Sequence, residues 1–272
     1  RSDWSSDVCS SDLSYPEFKV ENSKIRFGLS AIKNLGENIS LSILNERENK
    51  GTFKDYEDFV YRVKKLGINR KHLEALILSG ALDSMEGNRK QKYETIDTIL
   101  EKIAKKIERD NNLQKTLFGM KIKEIDFQFP DIDEFSEEEI LNGEKEYLGL
   151  YFSGHPLEKY SSRLKKYNLD SINEIEESSM KKVKIAGIVH ELNKKITKAG
   201  QVMAEFILED YKGRIKVIVF PKDYIEYSYL LVENAIIVVE GSVSVDIFRN
   251  TETTKLIAKK IKNVDEIEEM ND

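Results

Sequence analysis

The chain has 272 residues, of which 40% are hydrophobic and 34% charged, and its formal net charge is -6 at pH 7. Its length suits two compact domains, and no apolar run approaches the roughly 20 residues of a bilayer-spanning helix, so the sequence predicts no membrane span. The single Cys9 cannot form an internal disulfide, and no Cys/His cluster has metal-ligand spacing, which predicts a cytoplasmic protein without structural zinc.

The charges are unevenly distributed along the chain. Residues 180–262 contain 15 Lys and Arg against 10 Asp and Glu, whereas the last ten residues contain five acids and no base. Lys and Arg gain free energy at a nucleic acid by displacing its condensed counterions. The basic segment is therefore a candidate phosphate-binding surface, with an ordinary solvated face as the alternative.

Residues 1–13 repeat Ser-Ser-Asp and have neither a helical nor a strand period. We expect this stretch to be a translated sequencing-adapter artefact, with an ordinary disordered N-terminus as the alternative. Two short strands are predicted next, at residues 18–20 and 25–27.

Helical spacing then predicts two small helix-turn-helix units in tandem. In the first unit, apolar residues at 29, 32 and 35 and at 39, 43 and 44 predict two short helices separated by Gly36. In the second unit, helices flank residues 67–69, with Asn69 as the predicted N-cap and Gly80 at the end of the second helix.

Both turns are candidate phosphate sites. A tight left-handed turn before a helix N-terminus points backbone N–H groups and a partial positive charge outward, although Asn34 stands where such a turn usually has its first glycine. A purely structural helical hairpin is the alternative. The candidate DNA contacts are Lys33, Asn34, Gly36, Gly67, Asn69, Arg70 and Lys71.

A single amphipathic helix is predicted over residues 88–111, followed by a polar connector. The connector contains Gln114, Leu117 and Phe118 in the pattern Gln-x-x-Leu-Phe. Exposed Leu and Phe side chains in a connector suit insertion into an apolar pocket of a partner, with the Gln amide fixing the orientation. Packing of Leu117 and Phe118 against the neighbouring helix is the alternative.

Asp131 and Asp133 resemble a metal-binding carboxylate pair, but they lie in a predicted loop without strand neighbours, so we interpret them as solvated connector residues. Ser136 and Glu139 form a predicted capping box that opens a helix ending near residues 154–156.

Beyond Met180 the apolar period changes to two. Strands are predicted at residues 183–190, 202–208, 214–220, 235–245 and 255–261, with a helix at 222–232 between the third and fourth. This order is typical of an oligonucleotide-binding (OB) barrel, and the edge of a small sandwich is the alternative.

Cations and aromatic rings in such a barrel are candidates for nucleic-acid contact. The loop at residues 193–201 is predicted to carry three of the cations. The full set of candidates is Lys184, Lys194, Lys195, Lys198, Arg214, Lys216, Phe220 and Phe248. The scattered His72, His155 and His190 are predicted to be structural, and no catalytic or metal-binding residue is predicted.

Six segments resemble the alpha subunit of bacterial DNA polymerase III. IRFGLSAIKNLG at residues 25–36, with LEALI at 73–77 and GALDS at 80–84, resembles the tandem helix-hairpin-helix domain of that family. EKEYLGLYFSGHPL at residues 144–157 resembles its linker. AGIV at residues 186–189 and IKVIVFP at 215–221 resemble its OB domain.

The resemblance implies an α+β multidomain chain, in which an all-α tandem helix-hairpin-helix domain precedes a five-stranded OB-fold β-barrel. The implied order is the end of a fingers region at 14–28, the hairpin domain at 29–112, a connector at 113–135, a helical linker at 136–179, the barrel at 180–264 and an acidic tail at 265–272.

It also implies a function in DNA-templated replication. The implied partners are duplex DNA and the single-stranded template, the sliding clamp (the beta subunit) bound through Gln114, Leu117 and Phe118, and other subunits of the holoenzyme. The polymerase palm with its magnesium would lie outside this chain, so the chain alone is expected to be inactive. A stand-alone nucleic-acid adaptor is the alternative, and the sequence leaves open whether the barrel binds single strands tightly and whether a clamp-loader tether follows.

Overall fold

The computed structural model describes residues 15–21, 24–113, 127–165, 167–175, 182–248 and 251–266. The chain divides into two compact units, Arg1–Gly154 and His155–Asp272. None of the helices among these residues combines the length and apolar content that a bilayer crossing requires.

The first unit begins with the predicted strand pair, β1 (Lys19–Glu21) and β2 (Lys24–Arg26), which are antiparallel. The first predicted helix is wrong: Leu29–Ala31 forms only a 3-10 turn. The N–H groups of Leu29 and Ser30 donate to the carbonyls of Tyr15 and Pro16. This short segment is thus held by hydrogen bonds to the preceding chain rather than by a helix of its own.

Three helices form the centre of this unit. They are α1 (Gly36–Lys50), α2 (Tyr56–Lys64) and α3 (Arg70–Leu78). Their apolar residues recur at helical spacing and are buried, including Ile43, Phe59 and Leu76, each at 0% exposure. Burial of one apolar stripe per helix gives the unit its core.

The predicted single helix at residues 88–111 is wrong, because two helices occupy it, α4 (Arg89–Glu94) and α5 (Ile96–Leu113). Thr95 between them has φ -97° and ψ 3°, and its hydroxyl donates to the carbonyl of Gln91 at 2.7 Å. Thr side chains compete in this way with backbone hydrogen bonds, and this contact accompanies the break.

The capping box of Ser136 and Glu139 is confirmed at the start of α6 (Glu137–Leu148). The predicted end near residue 154 is wrong, because α6 ends at Leu148 and its C-cap Gly149 has φ +77°. Glycine adopts this left-handed conformation without the steric cost of a Cβ and so ends the helix early.

The second unit begins with α7 (Ser161–Leu164) between short 3-10 turns and continues into a five-stranded barrel. The strands are β3 (Lys182–Ile196), β4 (Val202–Glu209), β5 (Arg214–Val219), β6 (Ile236–Phe248) and β7 (Thr251–Asn263). The barrel closes in the order β3-β4-β5-β7-β6, and only β5 and β7 pair in parallel among its neighbouring strands. The predicted OB barrel is therefore confirmed.

Two predictions in the barrel require correction. The predicted helix at 222–232 is shorter, because α8 (Pro221–Tyr227) gives way to a 3-10 turn at Ser228–Leu230. The predicted loop at 193–201 is shorter: β3 continues to Ile196, which pairs with Val202 on β4, so only residues 197–201 form the connection. Residues 193–196 are exposed on both faces, so they lack the alternating pattern that identifies a half-buried strand.

Candidate nucleic-acid interface

Two residues of the first turn, residues 33–36, have a left-handed backbone conformation. Asn34 has φ +72° and Gly36 has φ +71°. The N–H of Lys33 donates to the carbonyl of Tyr147 at 2.8 Å, so the end of α6 braces the turn. Leu35 is buried at 2% exposure and anchors the turn to the core.

The N-terminus of α1 directly after this turn is open. Its N-cap residue is Leu35, and no side chain among the described residues caps its first amides. A Cβ added at Gly36 would meet no atom within 4 Å. Unsatisfied N–H groups at a helix N-terminus carry partial positive charge and suit a phosphate oxygen.

The second turn, residues 67–69, has a similar glycine but a different helix start. Gly67 has φ +88° and also faces open space. Asn69 Oδ1, however, accepts from the N–H of His72, and His72 Nδ1 accepts from the N–H of Asn69, both at 3.3 Å. Burial lowers the pKa of His72, which favours this neutral, accepting ring. The capping box of the second turn therefore satisfies two amides, those of Asn69 and His72.

The side-chain cations at the two turns are also engaged to different degrees. Lys33 Nζ lies 3.7 Å from Glu146, and both side chains are more than half exposed, so this ion pair is weak. Arg70 donates to Asp97 and to Glu74, and these hydrogen bonds, that to Asp97 first, raise the pKa of Arg70. Lys71 is exposed.

The predicted partner-binding residues Gln114, Leu117 and Phe118 lie outside the described residues.

Four of the predicted barrel cations, all on β3 and β5, each lie beside a carboxylate. Glu205 on β4 accepts from Lys195 at 2.7 Å and lies 2.9 Å from Lys216 Nζ. The hydrogen bonds from Lys195 and then Lys216 lower the pKa of Glu205 and keep it ionised. This pairing neutralises part of the positive charge that the sequence predicted for the face.

Glu209 has a similar effect at the other end of β4. It lies 2.9 Å from Arg214 Nη2 and 3.2 Å from His190 Nε2. Lys184 is paired with Glu240 at 3.1 Å. A cross-strand match of acids on β4 with bases on β5 follows from the strand register, and this was the signal that sequence reasoning overlooked.

The remaining barrel candidates are less constrained. Lys194 and Lys198 are exposed, and no ion pair is recorded for them within the described part of the chain. Phe220 is 42% exposed at the N-cap of α8. Phe248 ends β6, and its side chain falls outside the described residues.

Asp131 and Asp133 are both exposed in the loop before α6. The neighbouring Glu134, which sequence reasoning overlooked, accepts from the N–H groups of Arg89 and Lys90 at 2.8 and 2.9 Å. Burial opposes the ionisation of Glu134, but these backbone donors outweigh it and lower its pKa. Glu134 therefore adds a second acceptor at the N-terminus of α4.

Glu144 is a further residue that sequence reasoning assigned no role. Its side chain is 0% exposed, pairs with Arg89 at 3.1 Å and accepts from the N–H groups of Phe152 and Ser153 at 2.7 and 2.8 Å. It ties the segment after α6 back to α4, and so fixes the helix whose end braces the first turn.

Comparisons with known proteins agree with these two units. Residues 5–92 match the helix-hairpin-helix motif family, and residues 183–264 match the OB-fold nucleic acid binding domain family.

Curated relatives named DNA polymerase III subunit alpha match most of the chain. The protein of Borreliella burgdorferi is 34% identical over 265 residues, covering 94% of this chain and 22% of the relative. That of Deinococcus radiodurans is 38% identical over 240 residues, covering 82% and 18%. That of Aquifex aeolicus is 34% identical over 261 residues, covering 96% and 21%.

The chain thus spans about a fifth of the length of these relatives. The predicted resemblance and the predicted fold class are confirmed. The chain is similar to the C-terminal part of bacterial DNA polymerase III alpha subunits.

Proposed function

We propose that this chain is the DNA- and clamp-binding part of a replicative DNA polymerase III alpha subunit. The parent protein polymerises DNA on a template, with magnesium held in a palm outside this chain. The contribution of the chain is to keep the polymerase on DNA. The observation that carries the proposal is the uncapped N-terminus of α1 behind the braced first turn.

The first turn binds a phosphate of duplex DNA through backbone N–H groups. Backbone donors contact phosphate oxygens whatever the base sequence is, and a replicative enzyme requires this indifference. The brace from Tyr147 holds the turn in place before DNA arrives, which lowers the entropic cost of binding. The second turn contributes Lys71 and shape rather than amides.

The barrel contacts the single-stranded template. Lys194 and Lys198 are exposed near the end of the β3–β4 hairpin. In contrast, ion pairs with carboxylates engage Lys195, Lys216 and Arg214. A phosphate must compete with Glu205 and Glu209 for these three cations. Binding of single strands is therefore weak and strongly salt-dependent.

Residues 114–118 bind the sliding clamp. Insertion of Leu117 and Phe118 into an apolar pocket is worth about 1.5 to 3 kcal/mol for each side chain, and the Gln114 amide orients the peptide. The same assignment implies that the chain also binds other subunits of the holoenzyme and that it is located in the cytoplasm.

The test measures binding of the purified chain to a labelled DNA duplex, to a single strand and to the sliding clamp. We expect duplex binding without sequence preference, and clamp binding that Gln114→Ala weakens and Leu117→Ala/Phe118→Ala abolishes. Lys115→Ala/Thr116→Ala, which changes only the two variable positions, is the matched control and leaves clamp affinity unchanged.

Unchanged clamp affinity in both test variants would remove residues 114–118 from the proposal. A duplex affinity below detection at low salt would contradict the proposed role of the hairpin turns in DNA binding. Template-dependent nucleotide incorporation by the chain alone would contradict the assignment of catalysis to a separate region.

A further inference from the structure

A cleft of about 510 Å³ opens in the second unit beside the barrel. It lies between the segment around α7 and the β4–β5 turn, residues 210–213. Its apolar wall includes Leu157, Leu164 and Leu169, and two aromatic rings, Tyr167 and Tyr211, line it. This volume is in the range of sites that hold one small organic group.

The two tyrosines are held in place by neighbours. The ring of Tyr211 is tilted against that of His155, with centroids 4.4 Å apart, yet Tyr211 remains 51% exposed. Tyr167 has the Lys184 ammonium 5.7 Å from its ring centroid. An exposed ring that is braced from one side offers a stacking surface at low entropic cost.

The two carboxylates at the cleft are committed to the protein backbone. Asp210 accepts from the N–H groups of Lys212 and Gly213, both at 2.7 Å, and from that of Ile172 at 2.8 Å. Asp170 accepts from the N–H of Lys184 at 2.9 Å. Backbone N–H groups therefore occupy part of the acceptor capacity of both carboxylates.

The cations that line the cleft are accessible. Lys165 is exposed, and Lys212 is 53% exposed in a pair with the 68% exposed Glu174 at 3.2 Å. Such exposed pairs are weak and yield readily to a competing anion. Apolar walls, two rings and accessible lysines suit a planar group that carries an anion.

The cleft continues the outer face of the barrel. Glu209 and Arg214, which pair across β4 and β5 on that face, directly flank the turn that carries Tyr211. A single strand that follows β4 and β5 toward this turn reaches the cleft next. None of the three side chains that define the charged face, Lys195, Glu205 and Lys216, carries an aromatic ring, whereas the two rings of Tyr167 and Tyr211 line the cleft.

We propose that this cleft takes an unstacked base of single-stranded DNA, with Tyr211 and Tyr167 as its stacking surfaces and Lys165 and Lys212 at the adjoining phosphate. The proposal rests on the proposed contact of the barrel with single strands. It adds a base-binding site at a place that the barrel candidates Phe220 and Phe248 do not include.

The test uses the full chain and an oligothymidine that contains 5-iodouracil. We expect photo-crosslinks at Tyr211 or Tyr167, and an affinity of Tyr211→Leu for oligothymidine at least about fivefold below the wild type. Tyr211→Phe retains the ring and keeps the affinity. Tyr229→Leu, which removes another exposed tyrosine of the same unit, is the matched control and has no effect.

Crosslinks confined to β4 and β5, with full affinity in Tyr211→Leu, would overturn the cleft while leaving the proposed function intact. Absence of oligothymidine binding by the wild type would overturn both the cleft and the proposed contact of the barrel with single strands. Binding of an acidic peptide at the cleft, without binding of oligothymidine there, would indicate a protein partner and would also overturn the proposal.

Discussion

The first and second turns of the helical unit have similar backbone conformations at their glycines but differ in how the helix that follows is capped. Gly36 and Gly67 both have φ between +70° and +90° and both face open space. The N-cap of the helix after the first turn is Leu35, which offers no side-chain acceptor, whereas the N-cap of the helix after the second turn is Asn69, whose side chain accepts from the His72 N–H. The amides at a helix start can serve a side chain or a ligand, but not both at once.

This difference teaches that a glycine pattern identifies a turn without identifying its use. The identity of the N-cap residue decides whether the amides behind the turn are available. On this basis we expect the turn with Asn34 at the usual glycine position to be the stronger phosphate site, since Asn34 adopts the left-handed conformation that the turn requires, with φ +72°.

The largest effects on this comparison are expected from replacing the two glycines separately. Gly36→Ala and Gly67→Ala each place a Cβ at positive φ, so we expect each to lower the free energy of unfolding by about 1 kcal/mol. Gly36→Ala also distorts the turn that aims the amides, and we expect it to weaken duplex affinity about tenfold or more.

Gly67→Ala is the matched control, and we expect its duplex affinity to stay within about twofold of the wild type. Urea unfolding and fluorescence anisotropy measure the two quantities. Equal losses of affinity in both variants would mean that the turns act alike.

The comparison is sharpened by removing the cap of the second turn. Asn69→Ala deletes the acceptor for the His72 N–H, and we expect a loss of about 0.5 to 2 kcal/mol in the free energy of unfolding. Duplex affinity should not fall, because this cap competes with phosphate. Asn45→Ala, at an exposed position within α1, controls for loss of an amide side chain; a fall in affinity specific to Asn69→Ala would assign the cap itself to DNA.

A smaller effect is expected on the barrel. There, carboxylates compete with DNA for the candidate cations, as Asn69 competes with phosphate for an amide of the second turn. Glu205→Gln releases Lys195 and Lys216, and we expect single-strand affinity to rise about two- to fivefold. Glu191→Gln, an exposed acid of the same strand region, makes the same change in net charge and should have a smaller effect.

The pKa of Glu205 also gives the sign of a pH effect on stability. Because its pKa is lowered in the folded chain, the carboxylate stabilises the fold at neutral pH, and this contribution is lost as pH falls through the lowered pKa. Glu205→Gln should therefore lose less stability than the wild type on acidification. Acid unfolding followed by circular dichroism measures the difference, and identical profiles would contradict it.

The sequence predicted both turns, the order of the barrel strands and the caps at Asn69 and Ser136, because these features depend on local periodicity and single residue types. It failed at Thr95 and in the outer half of β3. A side-chain hydrogen bond accompanies the break at Thr95, and the outer half of β3 pairs while exposed on both faces.

The site was less predictable than the fold. The pairing of Glu205 with two lysines depends on strand register, and the brace from Tyr147 joins residues far apart in sequence. Counting the cations of a face without the acids that pair with them overestimates how strongly that face attracts DNA.

The most direct measurement follows the backbone amide resonances of the chain during titration with a short DNA duplex. We predict the largest chemical-shift changes at Gly36 and Glu37, at the start of α1, with little change at Lys71 and His72. Large changes at Lys71 and His72 with none at Gly36 and Glu37 would contradict the assignment of phosphate binding to the first turn.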